Sequence, residues 1–401
     1  MGANVALRAR RGGGTWARRL WIAGLAAGAG AALIGARRFE MAGPTHVVLA
    51  YNELGMHCMQ EDFSEMMILP PFNTLRAQVI DRTHGSPEIV TEGVTVRYIL
   101  PDNTRSADKC NFWTYDLALL GVDLPADVGL GGKGMAGTMS LSPERDWQAV
   151  GIPVTPIEDS GRENPYPLAL VSVDQNGAVV AQTQAVVPVS WEMSCNICHD
   201  DPNVSTATDI LMDHDRLHGT NLVNAKPVFC ASCHADPAVG SPGQPGIPYL
   251  STAMHGAHAS RMASANLENE CYACHPGFRT SCQRDIHSAN NLSCNDCHVG
   301  GMTGLGDPGR TPWADVPSCG SCHTRAGFEF EEPGKLFRTS RGHGKLMCMT
   351  CHNSPHAITP TSTPADNLQA MAAQGHPGVI NTCTVCHQTT PDDPFPHRLT
   401  E

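Results

Sequence analysis

Aromatic side chains are scarce in this chain. They make up 5% of 401 residues, and only ten fall in the 211 residues from Trp191 onward. That stretch is also rich in Gly and Pro and lacks a long apolar period. Side-chain burial alone does not offset the entropy of ordering such a segment. Basic residues are few as well, 27 against 39 acidic ones, for a formal net charge of −12. No basic stripe is available to neutralise phosphates, which argues against a nucleic-acid partner. Lysine is absent from residues 1–42, which carry seven arginines and a single acid, Glu40. Those arginines flank the 17-residue apolar run Leu20–Ala36, "LWIAGLAAGAGAALIGA". A basic segment followed by such a run reads as a secretory leader, cleaved after small residues near Ala36 or Ala42. At the lower length limit for a membrane span, it also reads as a retained anchor with its arginines inside. Without residues 1–42 the chain has 20 basic and 38 acidic residues, a balance of −18.

Cysteine is what the sequence has in excess, 17 residues beside 19 histidines. Fourteen of them form one repeated pattern, Cys-x-x-Cys-His. In chain order the motifs are Cys195–His199, Cys230–His234, Cys271–His275, Cys294–His298, Cys319–His323, Cys348–His352 and Cys383–His387, called here motifs one to seven. At this composition chance predicts about 0.03 occurrences, so seven constitute a repeat array. Two thiols three positions apart can add to the two vinyl groups of one haem, which leaves the adjacent histidine as an axial ligand. Zinc ribbons instead pair one Cys-x-x-Cys with another and need no histidine directly after each. The repetition favours haem. The expected attachment residues are Cys195, Cys198, Cys230, Cys233, Cys271, Cys274, Cys294, Cys297, Cys319, Cys322, Cys348, Cys351, Cys383 and Cys386. The expected proximal ligands are His199, His234, His275, His298, His323, His352 and His387, for seven covalently attached haem c groups. Covalent haem attachment occurs outside the cytoplasm, so the chain is expected to be exported. Arg18–Arg19 invites a twin-arginine reading, but an unfolded chain must cross before attachment, which favours the general secretory route.

Twelve histidines lie outside the motifs. Nine fall in the motif-bearing stretch and are candidate second axial ligands: His214, His218, His255, His258, His287, His343, His356, His376 and His397. Seven irons need nearly that many. His46, His57 and His84 lie earlier. His57 reads as a packing histidine, or as a cap on the first haem or on a haem of another subunit. No histidine occurs between Val299 and Cys322, so motif five must take its partner from elsewhere or stay five-coordinate. Three cysteines remain. Cys58 and Cys110 are expected to form a disulfide in an oxidising compartment. Cys282 is then a buried thiol or a sulfur ligand to a neighbouring iron.

The motif array and the His-x-x-His that precedes motif three resemble the multihaem c-type cytochromes of bacterial cell envelopes. That group includes outer-surface decahaem cytochromes and cytochromes that polymerise into extracellular filaments. The resemblance covers residues 191–401; for 43–190 it rests on "YNELGMHCM" and "LPPFNTL" alone. It implies bis-histidine haems, closely stacked, that conduct electrons in the envelope or to extracellular acceptors. The implied partners are redox proteins or an extracellular metal acceptor, with a homopolymer filament as a further state, and residence in the periplasm, at the outer surface or outside the cell. The alternative is a multihaem oxidoreductase of the nitrite, hydroxylamine or tetrathionate type. Such enzymes keep one iron open, often marked by Lys in place of the motif His or by a Cys ligand. All seven motifs end in His and distal candidates are plentiful, which favours an electron carrier over an enzyme.

Residues 43–190 carry no motif. "THVVLAYNE", "LRAQVIDR" and "GVTVRYIL" are short β-branched runs bounded by turn residues. "ALVSVDQNGAVVAQTQAVV" places Asn176–Gly177 between two alternating strands, a hairpin signal. The expected fold is an N-terminal all-β, sandwich-like domain at 43–190, free of haem. A heptahaem domain of irregular segments and short helices follows at 191–401.

Overall fold

The computed structural model describes residues 45–393 and His397. The apolar run Leu20–Ala36 and the cleavage positions near it lie outside the described residues. Among the described residues, no helix is long and apolar enough to cross a membrane.

The first part of the chain is built of strands: β1 (His46–Asn52), β2 (His57–Cys58), β3 (Met66–Met67), β4 (Thr74–Asp81), β5 (Glu88–Ile89), β6 (Thr95–Ile99), β7 (Ala136–Thr138), β8 (Ser140–Leu141), β9 (Trp147–Val150), β10 (Leu168–Gln175), β11 (Ala178–Val186) and β12 (Val189–Ser190), with one helix, α1 (Phe112–Leu120). One sheet runs β1-β4-β9-β8, with β5 added on β4, and a second runs β11-β10-β6-β7. Their facing side chains form one cluster, with Val48, Ala50, Leu75, Ala77 and Val79 from the first sheet and Val96, Tyr98, Ala169, Val171, Val173 and Ala181 from the second. The β10–β11 connection is made by Asn176 and Gly177, with φ of 52° and 82°. Both central residues of a type I′ turn need this left-handed region, which Asn and Gly tolerate best.

After Trp191 the elements are short: α2 (Thr206–His218), β13 (Val228–Phe229), α3 (Leu250–Ser264), α4 (Ile286–Ala289), α5 (Cys294–Cys297), α6 (Gly301–Leu305), α7 (Cys348–His352) and α8 (Pro364–Gln374), linked by irregular chain and single 3₁₀ turns. Sequence sets the helix ends. The Ser205 hydroxyl accepts from Thr208 N–H at the start of α2, and left-handed Gly219 ends it, a capped N-terminus and a glycine C-cap.

The described residues from Thr45 onward lie in one compact unit. Strand β1, "HVVLAYN", is buried at all seven positions. Its Val48 and Ala50 face the sheet core. Val47 and Leu49 turn outward and pack with Ile80 against Val385, and Tyr51 packs with Met347 and Met349. Polar links reinforce this seam. Gln78 Oε1 accepts from Met347 N–H at 2.8 Å and from the Thr350 hydroxyl at 2.5 Å. Gln369 Oε1 accepts from Ala50 N–H at 2.7 Å, and Arg82 donates to the Val385 carbonyl at 3.1 Å. β13 pairs in parallel with β3.

Deeper still, the Arg284 guanidinium makes a two-pronged contact with Asp366, Nε to Oδ2 at 2.6 Å and an Nη to Oδ1 at 3.0 Å. Both side chains are almost fully enclosed, at 1% and 2% exposed.

Candidate metal centres

Each motif folds into one helical turn. The backbone N–H of the motif histidine reaches the carbonyl of the first cysteine in motifs one to five and seven, at 2.8–3.1 Å. Motif six is itself the short helix α7. The turn brings both thiols and the imidazole of each motif into one neighbourhood.

Seven remote histidines face these seven imidazoles, one to each. The pairs and their ring-centroid separations are His199–His258 at 6.3 Å, His234–His214 at 6.4 Å, His275–His255 at 6.1 Å and His298–His356 at 6.2 Å. The other three are His323–His287 at 6.0 Å, His352–His397 at 5.9 Å and His387–His343 at 5.9 Å. His214 and His218, neighbours on one helix face, sit closer together, at 4.8 Å. Two imidazoles on opposite sides of one metal would have centroids about 6.4 Å apart, given metal–nitrogen bonds of about 2.0 Å and rings about 1.2 Å in radius. The seven separations, 5.9–6.4 Å, lie close to that value.

Orientation agrees with spacing. A ligating imidazole usually commits its other ring nitrogen to a nearby acceptor, which fixes tautomer and ring direction. Nδ1 of His255 lies 2.7 Å from the Ser251 carbonyl and Nδ1 of His258 lies 2.7 Å from that of Met254. His234 uses the Pro248 carbonyl at 2.9 Å and His397 that of Glu329 at 3.3 Å. His214 meets the Thr220 hydroxyl and His287 the Asp285 carboxylate, both at 2.8 Å. His199 Nδ1 faces Asp213 at 3.7 Å and Asp209 at 3.9 Å. His356 Nδ1 is 4.0 Å from the Cys282 sulfur, which places Cys282 behind that ring. In each case Nε2 is left for the facing histidine. Burial also lowers the pKa values of His275, His352 and His356 to about 4, so these rings are neutral and their lone pairs are available. Thiols respond in the opposite direction: burial raises Cys230 and Cys351 to about 12, and Cys274 and Cys386 to about 11.

Space for a large planar group is visible at motif five. An open cavity of about 830 Å³ is lined by His323, Phe328, Phe330, Glu331 and Leu336 among others, within the range of organic cofactor sites. Glu331 Oε1, on its wall, is buried without a partner. Among the described residues, the one grouping of three or more Cys, His or acidic ligand atoms is His199 with Asp209 and Asp213. No cysteine quartet of the zinc-ribbon kind forms there.

Two of the nine expected distal histidines face no motif. His218 lies on the exposed last turn of α2, where only His214, one turn earlier, reaches His234. His376 follows the left-handed cap Gly375 and turns to the Pro377 carbonyl at 3.0 Å and the Thr382 hydroxyl at 3.5 Å. Motif five finds its partner upstream, in His287, beyond motif four. Sequence proximity misleads repeatedly: His343 lies just before motif six yet faces motif seven, and His258 lies just before motif three yet faces motif one.

The early segment also has roles that its residue types did not reveal. His57 is buried, its Nε2 is bound to the Pro70 carbonyl at 2.8 Å, and its ring tilts against Phe72. Its pKa falls to about 4 through burial, so it packs and caps no site. Asn52 and Asn73 hydrogen-bond each other, which ties "YNELGMHCM" to "LPPFNTL". Together they seat the loop that carries His356. The Ser354 hydroxyl donates to the Asn52 carbonyl at 2.7 Å. Gly55, at φ +85°, lies so close that a Cβ would come within 2.0 Å of the Pro355 oxygen, so only glycine fits. The expected Cys58–Cys110 disulfide is not formed. Both thiols are free, and the charge neighbours of Cys58 are Cys282 and Glu192. Comparison with protein-family models, with curated proteins and with solved structures finds no match.

Proposed function

We propose that this chain is an exported multihaem c-type cytochrome that carries electrons through seven covalently attached haems. The observation that carries the reading is the one-to-one facing of seven motif histidines and seven remote histidines at a common spacing. Haem iron held in this way supplies a reversible one-electron couple. The protein's part is to tether and orient. In each motif the two thiols would hold the haem covalently, and the adjacent histidine and its remote partner would ligate its iron. Nδ1 partners orient eight of the fourteen paired rings, which limits rearrangement on a change of charge. Support for a carrier over an oxidoreductase comes from motif five: His287 faces His323, so the motif whose partner was hardest to find would also have two histidines to hold its iron. Excess acid favours a basic redox partner or a metal-bearing acceptor, with salt-dependent encounter. The run Leu20–Ala36 supports export.

Pyridine haemochrome assay with intact mass should show seven haem additions. Low-temperature EPR of the oxidised protein should show low-spin signals alone. Five haems or fewer in fully matured protein would overturn the proposal. A high-spin signal combined with rapid multi-turnover reduction of nitrite, hydroxylamine or tetrathionate would replace it with the oxidoreductase.

A further inference from the structure

Taking the seven motifs as haem sites, we infer that they form one unbranched row whose spatial order differs from the chain order: motif two stands at one end, followed by motifs one, three, four, five, six and seven. Each link in the row has its own contact.

Motif two joins motif one through α2, which carries His214 on the second site while its Asp209 and Asp213 face His199 of the first. Motif one joins motif three through α3, where His255 and His258, three residues apart on one face, face His275 and His199 respectively. Motif three joins motif four where the Cys271 and Cys294 side chains lie beside each other. Motif four joins motif five through the segment 284–287. Arg284 N–H donates to the His356 carbonyl at 2.9 Å, while His287, three residues on, faces His323. Motif five joins motif six through Glu331, Glu332 and Ser340. Cys319 N–H donates to Glu331 at 3.0 Å, Glu332 N–H to the Ser340 hydroxyl at 3.2 Å, and Cys348 N–H to the Ser340 carbonyl at 3.0 Å. Motif six joins motif seven where Ile380 N–H donates to the Cys351 carbonyl at 3.0 Å.

The two histidines that face no motif stand at opposite ends of this row. Exposed His218 lies against His214 of motif two. Exposed His376 contacts Thr382, the residue before Cys383 of motif seven. In this arrangement the first attachment site in the sequence is internal, and its removal severs motif two from the remaining five.

The two surface histidines supply the test. With His84→Gln and His218→Gln in place, a ruthenium photosensitiser is attached to His376, and His214→Met marks motif two by its His/Met absorption signature. Flash reduction should deliver electrons from the motif-seven end to that marker. Adding Cys195→Ala and Cys198→Ala should slow arrival at least tenfold while intact mass shows the loss of one haem. Unchanged arrival with one haem lost would overturn the order, since motif two would then connect directly to motif three. If the doubly altered protein does not mature, His214→Met alone decides in a spectroelectrochemical titration followed by EPR: as a terminal site it should move the midpoint potential of one other haem, and movement of two would place it inside the row. Five haems or fewer in the fully matured parent protein would instead sink the haem reading itself, whatever the order.

Discussion

Twenty-six buried apolar residues join in one cluster between Val48 and Val189. After Trp191 only ten apolar residues are buried among those described, and Ala231, Ala273, Ala357 and Ala370 are four of them. Of the larger ones, Met347, Met349 and Val385 lean on β1 or its neighbours. The strand-rich half is therefore held by its own side chains. The motif-rich half borrows the outer face of β1 and otherwise surrounds paired histidines and thiols. The difference teaches that a half with few buried apolar side chains, short of aromatics and rich in histidine and cysteine, is the one where the proposed haems would add to the core.

The largest effect should come from cutting the two halves apart. A fragment of residues 45–190 exposes Val47, Leu49, Tyr51 and Ile80, each worth about 1.5–3 kcal/mol when buried. It should unfold at much lower urea than the sheets do in the whole protein, as hydrogen exchange would reveal. Equal protection in both settings would mean that the seam contributes nothing to the sheets.

Next in size is the enclosed pair of Arg284 and Asp366 in the other half. Asp366→Ala leaves a buried guanidinium without its partner, at a cost of about 3–5 kcal/mol. Because Arg284 N–H holds the His356 carbonyl, the EPR signal of one low-spin site should broaden as well. Loss of stability without any spectral change would separate the ion pair from the ligand loop.

Acid should then weaken the strand-rich half through His57. Its folded pKa is lowered by burial to about 4, while the unfolded chain binds a proton near its ordinary value of about 6.5. This contribution is constant above about pH 6.5, falls as the pH drops toward 4, and stops falling below that. The loss approaches about 3 kcal/mol. His57→Gln should flatten the stability profile across this window, as urea midpoints at several pH values would show; an unchanged slope would assign the acid sensitivity elsewhere. The smallest effect is Ser205→Ala at the start of α2, at about 1 kcal/mol, read by thermal unfolding. It should slightly loosen the helix that carries His214.

What the sequence made legible followed from local rules. Asn176–Gly177 marked a turn because left-handed backbone favours those residues. The seven motifs stood out because their chemistry needs adjacent residues. The choice of partners was not local. His343 faces His387, His397 faces His352 and His287 reaches past motif four, because which histidine meets which motif depends on where the irregular chain returns in space. "HVVLAYN" announced a strand, but not that both its faces would be covered, since its second cover comes from Met347, Met349 and Val385 far along the chain. Gly55 gave no signal at all. Its requirement comes from a carbonyl three hundred residues away.

Helix α3 presents His255 to one site and His258 to another. Its Gly256 packs on Gly306 so closely that a Cβ on Gly306 would come within 2.6 Å of the Gly256 Cα. Mechanically, α3 is a short rigid strut clamped at its middle with a bracket at each end of one turn. Thermal motion of that strut moves both brackets together, so the gap between the two sites varies less than the position of either. Under the proposed function the tunnelling distance would be a difference of positions, and a shared strut would filter from it the motion that the two ends have in common.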